Sequence, residues 1–375
     1  MPFAADNVNS PVPLTTALPH FFDQEALLSE IRTVLDSRIL TNRGPKVLEL
    51  EKKVGEFLGD PGLSMVSCAN ATVAAELVLR AFGVRGKVIV TPYTFVATVH
   101  AIVNAGLEPV FADIDSDTLC LSPEAVEKAI TPDVVAVCPV HVYGNVCDLS
   151  YFEGLRKRGI RVLYDSAHAF GVRVGSQPVG SFGDAETFSL HATKILNACE
   201  GGLIVTRDRD LARRLALMTN FGFTGETKIE LIGTNAKLSE IHAVFGLHSL
   251  KYLPDAIQVR RRLIQYYRES LSDMDGIRFL KPQPEVEGNA QYCPIFLNSE
   301  TNRDKIYDAL KARDIFARKY FHPLVNHFSP YIERYPAHTP VAEEAARTVL
   351  CLPLHTLMRQ KDVDTVVAAI REIQK

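Results

Sequence analysis

Between Val66 and Thr206, short apolar runs alternate with longer stretches in which apolar positions recur at helical spacing. The runs at 88–90, 109–114, 134–140, 161–164, 186–190 and 203–206 are rich in β-branched residues and lack a polar alternation. Strands buried on both faces read this way. Between them, 72–82 and 122–130 have the period of helices, and the second opens on Ser122-Pro123, an N-cap followed by a first-turn proline. Alternation of this kind predicts right-handed crossovers and a mostly parallel sheet with helices on its faces.

After Gly233 the pattern changes. A helix is expected at 239–252, then Pro254 and a long charged helical stretch from 256 to about 273. Strand-like pieces at 277–280 and 293–297 are mixed with helical ones at 303–312 and 363–373. The hinge is placed at this change, dividing the chain into a large unit at 1–252 and a smaller α/β unit at 253–375. The segment up to about Gly62 is expected to be helical and to pack between them. No internal repeat or low-complexity tract is visible.

The 375 residues exceed what one core supports, since single cores stop growing near about 250–300 residues, which agrees with two units. Apolar residues at 47% and charged ones at 23% belong to a soluble globular chain. A net charge of −3 with scattered basic residues excludes the cationic stripe that nucleic acid requires. Seven cysteines, an odd number with no C-x-x-C pair, argue against a disulfide framework and against a zinc site, so no metal is expected. The first twenty residues hold four prolines and no basic segment leading into an apolar run, unlike a secretory signal. No stretch elsewhere is long and apolar enough to span a bilayer. The expectation is a reduced, cytoplasmic protein with neither nucleic acid nor membrane as a partner.

The segment Phe188-Ser189-Leu190-His191-Ala192-Thr193-Lys194 ends one apolar strand, and Glu200-Gly201-Gly202 leads into the next. A lysine between two core strands is unusual, because desolvating its ammonium is costly; burial there lowers its pKa and yields a nucleophilic amine. A surface-loop lysine fits the same local sequence. Asp165, in Tyr164-Asp165-Ser166-Ala167-His168, ends the preceding strand and supplies the carboxylate that keeps a pyridine nitrogen protonated; a helix N-cap is the alternative. Ser67-Cys68-Ala69-Asn70-Ala71-Thr72 sets small and polar residues where a helix begins, a place for a phosphate or simply a cap. Pro92-Tyr93-Thr94-Phe95 follows the next strand, and its Phe95 is either a ring for a planar cofactor or core.

Taken in order, Asn70-Ala71-Thr72, Pro92-Tyr-Thr-Phe-Val-Ala, His141-Val-Tyr-Gly144, Asp165-Ser-Ala-His168, Ser189-Leu-His-Ala-Thr-Lys194 and Glu200-Gly-Gly resemble the DegT/StrS family of fold-type I sugar aminotransferases. Gly233-Thr-Asn-Ala-Lys-Leu-Ser-Glu240, Phe321-His-Pro-Leu324 and Cys351-Leu-Pro-Leu-His355 extend the likeness from about Pro19 to the C-terminus. The resemblance implies an α/β fold: a large domain with a mostly parallel, seven-stranded sheet flanked by helices, and a smaller C-terminal α/β domain. It implies pyridoxal 5′-phosphate as cofactor, with pyridoxamine phosphate as its second form. Lys194 would hold the cofactor as a Schiff base, Asp165 would pair with the pyridine nitrogen, Phe95 would stack on the ring, and Ala71, Thr72 and Ser189 would bind the phosphate. His168 would lie beside the ring hydroxyl, with a satisfied core histidine as its rival. Asn235 would reach the neighbouring subunit's phosphate, which implies a homodimer with shared sites. The family's usual Gly-Thr at the phosphate-binding helix is Ala71-Thr72 here, one methyl more near the backbone cradle.

The residues before the lysine divide the family, and His191-Ala-Thr is similar to enzymes acting at sugar C4, whereas a Tyr-Pro version resembles those acting at C3. The expected reaction is a two-stage transamination in which L-glutamate leaves as 2-oxoglutarate and a nucleotide-linked keto-sugar takes the amine, with freed Lys194 as general base. A dTDP-4-keto-6-deoxyhexose is the favoured acceptor, giving a 4-amino-4,6-dideoxy sugar for a surface polysaccharide such as an O-antigen or for a glycosylated metabolite. His191, Lys319 and His322 are the expected substrate contacts, and Arg260-Arg261-Arg262 is either a diphosphate contact or a solvated helix face. The alternatives are a C3 aminotransferase, a pyridoxamine-dependent dehydratase, which Lys194 speaks against because that branch carries histidine there, and a cofactor-binding regulator without turnover.

Overall fold

The computed structural model describes residues 12–373; residues 1–11, where the N-terminal reading begins, lie outside them. The central sheet has seven strands, ordered Glu108–Phe111, Lys87–Val90, Val134–Cys138, Arg161–Asp165, Ala185–Ser189, Gly202–Thr206 and Ser64–Cys68. All the pairings are parallel except those of Gly202–Thr206, which runs antiparallel to both neighbours. That strand follows Ala185–Ser189 through a loop without a crossover helix, so the chain turns straight back. Central strands are apolar throughout because helices cover both faces; Val88, Ile89 and Val90 are all fully buried.

The predicted strands appear with shifted ends. The run at 109–114 pairs only as Glu108–Phe111, while Ile114 bridges Leu121 beyond the sheet. The run at 134–140 pairs as Val134–Cys138, after which Val140 bridges Asp165 alone. Helix ends follow their caps: Ser122 accepts from the Ala125 amide to start Pro123–Ala129, and Asn70 accepts from the Val73 amide to start Ala71–Phe82. The latter helix buries Leu77, Val78 and Leu79 in the core formed by the sheet and the neighbouring helices, each contributing roughly 1.5–3 kcal/mol.

The helices Gln24–Ser37 and Pro45–Leu58 pack on Glu240–Lys251, while Leu14–Thr15 pairs with Ile315–Phe316 in the C-terminal part. The N-terminal segment thus touches both parts of the chain. The helix Leu253–Ser270 also joins them. Its first turns place Leu253, Ala256 and Ile257 in the core that includes Val47 and Phe188, and its later turns place Leu263 and Tyr267 in a C-terminal core with Ile295 and Leu352. A three-stranded antiparallel sheet of Ile277–Phe279, Cys293–Leu297 and Val349–Leu352 carries that second core.

The parallel strands bring their carboxyl ends to one edge, the usual place for a ligand in an open α/β sheet. Asp165 and Ser189 end strands there, and the helix Ala71–Phe82 begins there. Gly202 permits that arrangement: a Cβ on it would lie 2.4 Å from the Asn70 carbonyl carbon and 2.8 Å from the Ala71 nitrogen. The second glycine of Glu200-Gly201-Gly202 is therefore required by the close approach of the helix start.

Candidate active site

A cavity of about 360 Å³ opens at this edge, within the range of small-molecule sites. Its wall includes Ala71, Thr72, Phe95, Asp165, His168, Ser189, His191 and Lys194, eight residues drawn from four separate motifs. Lysine and aspartate, 29 positions apart, face one cavity because their strands are neighbours in the sheet.

Asp165 is fixed from three directions. Its backbone bridges to Pro139 and His141, at 2.9 and 3.0 Å. One carboxylate oxygen accepts from the Ala167 amide at 3.0 Å and the other from the Thr98 hydroxyl at 2.7 Å. Because the single Thr98 proton is directed at the carboxylate, the Thr94 hydroxyl, 2.9 Å away, donates to Thr98. The chain Thr94 to Thr98 to Asp165 holds the carboxylate against the cavity, and hydrogen bonds accepted by a carboxylate are among the strong ones.

Lys194 lies in the loop between Ala185–Ser189 and Gly202–Thr206. Burial lowers its ammonium pKa to about 8 against the opposing pull of the Asp165 carboxylate. A substantial neutral fraction near pH 8 makes it a nucleophile. Its nitrogen lies 5.8 Å from the Tyr292 ring centroid. His168 is buried, and desolvation followed by the Lys194 charge holds its imidazole well below the ordinary histidine range. The Tyr143 amide donates to His168 Nδ1 at 3.2 Å, which assigns the proton of the neutral ring to Nε2 and leaves that nitrogen to donate into the cavity.

Phe95 is 56% exposed although it is a large aromatic residue at the cavity wall. It precedes the helix Val96–Asn104, and its uncovered ring is open to a stacking partner. The start of Ala71–Phe82 presents first-turn amides at the other end of the cavity, and the Ser189 hydroxyl stands nearby on the wall. Lysine with a lowered pKa, carboxylate, uncovered ring and helix start fit pyridoxal phosphate in amine, pyridine, ring and phosphate terms.

Not all expected contacts are on this wall. Asn235 is exposed and accepts from the Lys237 ammonium at 2.7 Å. Lys319 pairs with Asp304 at 2.5 Å and lies over the Tyr307 ring, and His322 stands 3.7 Å from Glu300. The acidic face of the helix Glu300–Lys311 thus holds both in the C-terminal part. His191 is on the wall, with Nδ1 2.8 Å from the Thr193 hydroxyl and Nε2 3.6 Å from Glu200. The arginine run corrects both readings given for it. Arg260 is only 3% exposed, its pKa pushed down to about 10 by burial, and it donates to the Gln291 carbonyl at 3.4 Å; Arg261 donates to the Gly288 carbonyl at 2.9 Å. Only Arg262 is exposed, because this helix face packs on the chain around 288–291.

Sequence reasoning passed over Thr98, Tyr292 and Arg318 and gave no site role to Phe321, all four on the wall. Thr94 and Thr98 stand one helical turn apart, a spacing that could have signalled a shared face. Arg318 gave no such signal. Its backbone pairs with Cys351, and among the described residues its guanidinium forms no ion pair.

The model of the DegT/DnrJ/EryC1/StrS aminotransferase family matches residues 22–371. A dTDP-4-amino-4,6-dideoxy-D-glucose transaminase from Shigella dysenteriae is 38% identical over 366 residues, covering 96% of this chain and 99% of that one. Among solved structures, DesI in the presence of its TDP-sugar product matches with a TM-score of 0.91 at 38% identity, covering 97% of this chain and 94% of that one. Spr1654 from Streptococcus pneumoniae, solved in a PMP-form, matches with a TM-score of 0.89 at 26% identity, covering 97% and 98%. The chain belongs to the DegT/DnrJ/EryC1/StrS aminotransferase family and is a pyridoxal-phosphate-dependent sugar aminotransferase.

Proposed function

We propose that the protein transfers the amino group of L-glutamate to a dTDP-linked 4-keto-6-deoxyhexose, giving the 4-amino-4,6-dideoxy sugar. The observation that carries the proposal is the amine of Lys194, its pKa lowered by burial, facing one cavity with Asp165. The name of the Shigella relative, the TDP-sugar product of DesI and the His191-Ala-Thr sequence before the lysine support the nucleotide and the C4 position.

When bound, pyridoxal phosphate supplies an electron sink for the carbon that loses its proton. Lys194 would anchor it and, once released, move that proton as a neutral amine within reach of the substrate carbon. Asp165, locked by Thr98 and the Ala167 amide, would hold the pyridine nitrogen protonated. His168 would donate from Nε2 to the ring hydroxyl, and Phe95 would cover one ring face. The helix-start amides of Ala71 and Thr72 with the Ser189 hydroxyl would hold the phosphate. Arg318, on the cavity lining and without an ion pair among the described residues, would meet the donor's carboxylate or the diphosphate.

The segment carrying Asn235 supports a homodimer with shared sites. Phe221 and Phe223 stand 42% and 39% exposed, and Ile229 and Ile232 60% and 83%, which makes an apolar surface of the kind that a second subunit covers. Incubation of the purified protein with glutamate and a panel of dTDP-, UDP- and GDP-linked 3- and 4-keto-sugars, read by mass spectrometry, tests the substrate. Amination of the dTDP-4-keto sugar is expected to dominate; turnover confined to a 3-keto sugar would overturn the C4 assignment.

A further inference from the structure

The loop that carries Lys194 is held by a part of the chain about a hundred residues later. Gln291 Oε1 accepts from the Ile195 amide at 2.8 Å, and its Nε2 donates to the Thr193 carbonyl at 3.2 Å, so one side chain binds the peptide groups on both sides of the lysine. Gln291 is 1% exposed, so its side chain is almost wholly shielded from bulk solvent. Its own amide donates to Asn289 Oδ1 at 3.0 Å, and Asn289 Nδ2 donates to the carbonyls of His168 and Phe170, both at 2.9 Å. The next residue, Tyr292, places its ring 4.9 Å from that of His168 and 5.8 Å from the lysine nitrogen. Arg260 and Arg261 clamp this stretch from the helix Leu253–Ser270 by donating to the Gln291 and Gly288 carbonyls.

We propose that Gln291 is a positioning residue for Lys194, with Asn289 tying the same bracket to the His168 loop. The bracket leads directly into Cys293–Leu297, a strand of the second sheet, so the aim of the amine is set by the C-terminal core as well as by the backbone bonds of its own loop. The residue type follows from the geometry. A primary amide is the neutral side chain that offers a donor and an acceptor at one end, and the two flanking peptides present one N–H and one carbonyl. An apolar side chain of equal volume would fill the space and leave both buried groups unpaired. A displacement of about 1 Å at a reacting group is enough to slow catalysis by up to about a hundredfold, which is why the direction of the lysine matters apart from stability.

The inference rests on Lys194 as the cofactor-bearing residue. The test uses the cofactor-loaded protein and the variants Gln291→Met and Gln291→Glu. In Gln291→Met, kcat should fall about ten- to a hundredfold with both KM values within about twofold. The pH midpoint of the bound cofactor's absorption change should move by at least about half a unit, since the environment of the lysine nitrogen sets it. Gln291→Glu should approach the native protein as pH falls, because the protonated acid again offers a donor and an acceptor, and should depart from it as pH rises. A methionine variant that melts earlier but keeps the native kcat and midpoint would reduce Gln291 to a structural role and overturn the proposal. If that variant does not fold, a glutamate variant with native kcat and midpoint across the pH range overturns it equally. Borohydride reduction and peptide mapping of the native protein separate the two readings: cofactor on a residue other than Lys194 defeats the assignment beneath both, whereas cofactor on Lys194 with unchanged variants defeats the bracket alone.

Discussion

The two sides of the cavity are built differently. On the strand side, Asp165 has every carboxylate oxygen bonded, His168 has its tautomer set by a backbone amide, and Lys194 is crowded until its pKa falls to about 8. On the other side Arg318, which lines the same cavity, has no charged partner among the described residues. The first side is arranged before any ligand arrives, as electrostatic catalysis requires. The second keeps an open cation for a group that comes and goes. Substitutions on the strand side should therefore act on kcat, and those on the open side on KM.

The largest effect is expected at the amine. Lys194→Ala should lower turnover by about 10³- to 10⁴-fold, the scale of a lost general base, and should abolish the visible absorption of cofactor bound through an amine. The pH dependence carries the sign. Below about 8 the amine is charged and cannot attack, so capture of added pyridoxal phosphate by cofactor-free protein should rise nearly tenfold per unit up to about pH 8 and then flatten. Stopped-flow absorbance measures this; a rise continuing towards 10.5, the ordinary lysine value, would mean that the strand side does not prepare its lysine.

Asp165→Ala should retain cofactor but lose about a hundredfold or more in kcat, because an oriented charge at the reacting group contributes several kcal/mol. Thr98→Val is the finer probe. It keeps the volume and removes the bond to Asp165 Oδ2 together with the one that Thr98 accepts from Thr94, so a loss of about 1.5–3 kcal/mol, or roughly ten- to a hundredfold in kcat, is expected with little change in KM. Equal kcat in Thr98→Val and the native protein would show that Asp165 needs no orientation.

The same contrast explains what could be read in the sequence. Strand-side residues lie in contiguous motifs at strand ends, where local pattern and chemistry coincide, and so Asp165, Lys194 and the helix start at Ala71 were legible. The strand ends at 111 and 138 were less so, because apolar character runs on past the last paired residue. Arg318 was not legible because Lys319 and His322 beside it are candidates for the same anion, and only the acidic face presented by Glu300 and Asp304 decides which of the three has no charged partner among the described residues. Arg260 misled for a related reason: three consecutive arginines point round a helix in different directions, and one of them faces the core. Gln291 was invisible because it acts across 96 positions.

On the open side, Arg318→Ala should raise KM for the donor or the nucleotide sugar by about tenfold, the value of one exchanged charge-assisted bond, with kcat within about threefold. Which KM moves tells which anion the guanidinium meets. A kcat loss as large as that of Asp165→Ala would dissolve the contrast between the two sides.

The smallest effect is expected where the chain departs from its family. Ala71→Gly removes one methyl at the first helical residue, beside the backbone that Gly202 already approaches closely. The first-turn amides remain, so pyridoxal phosphate affinity should change by less than about threefold, since a methyl outside the hydrogen-bonding pattern leaves the anion's donors in place. Helix stability should fall by no more than about 0.5–1 kcal/mol, the cost of glycine's extra freedom. An affinity gain of tenfold or more on fluorescence titration would instead mean that the methyl holds the phosphate off its cradle, and that the strand side is less completely prepared than its hydrogen bonds imply.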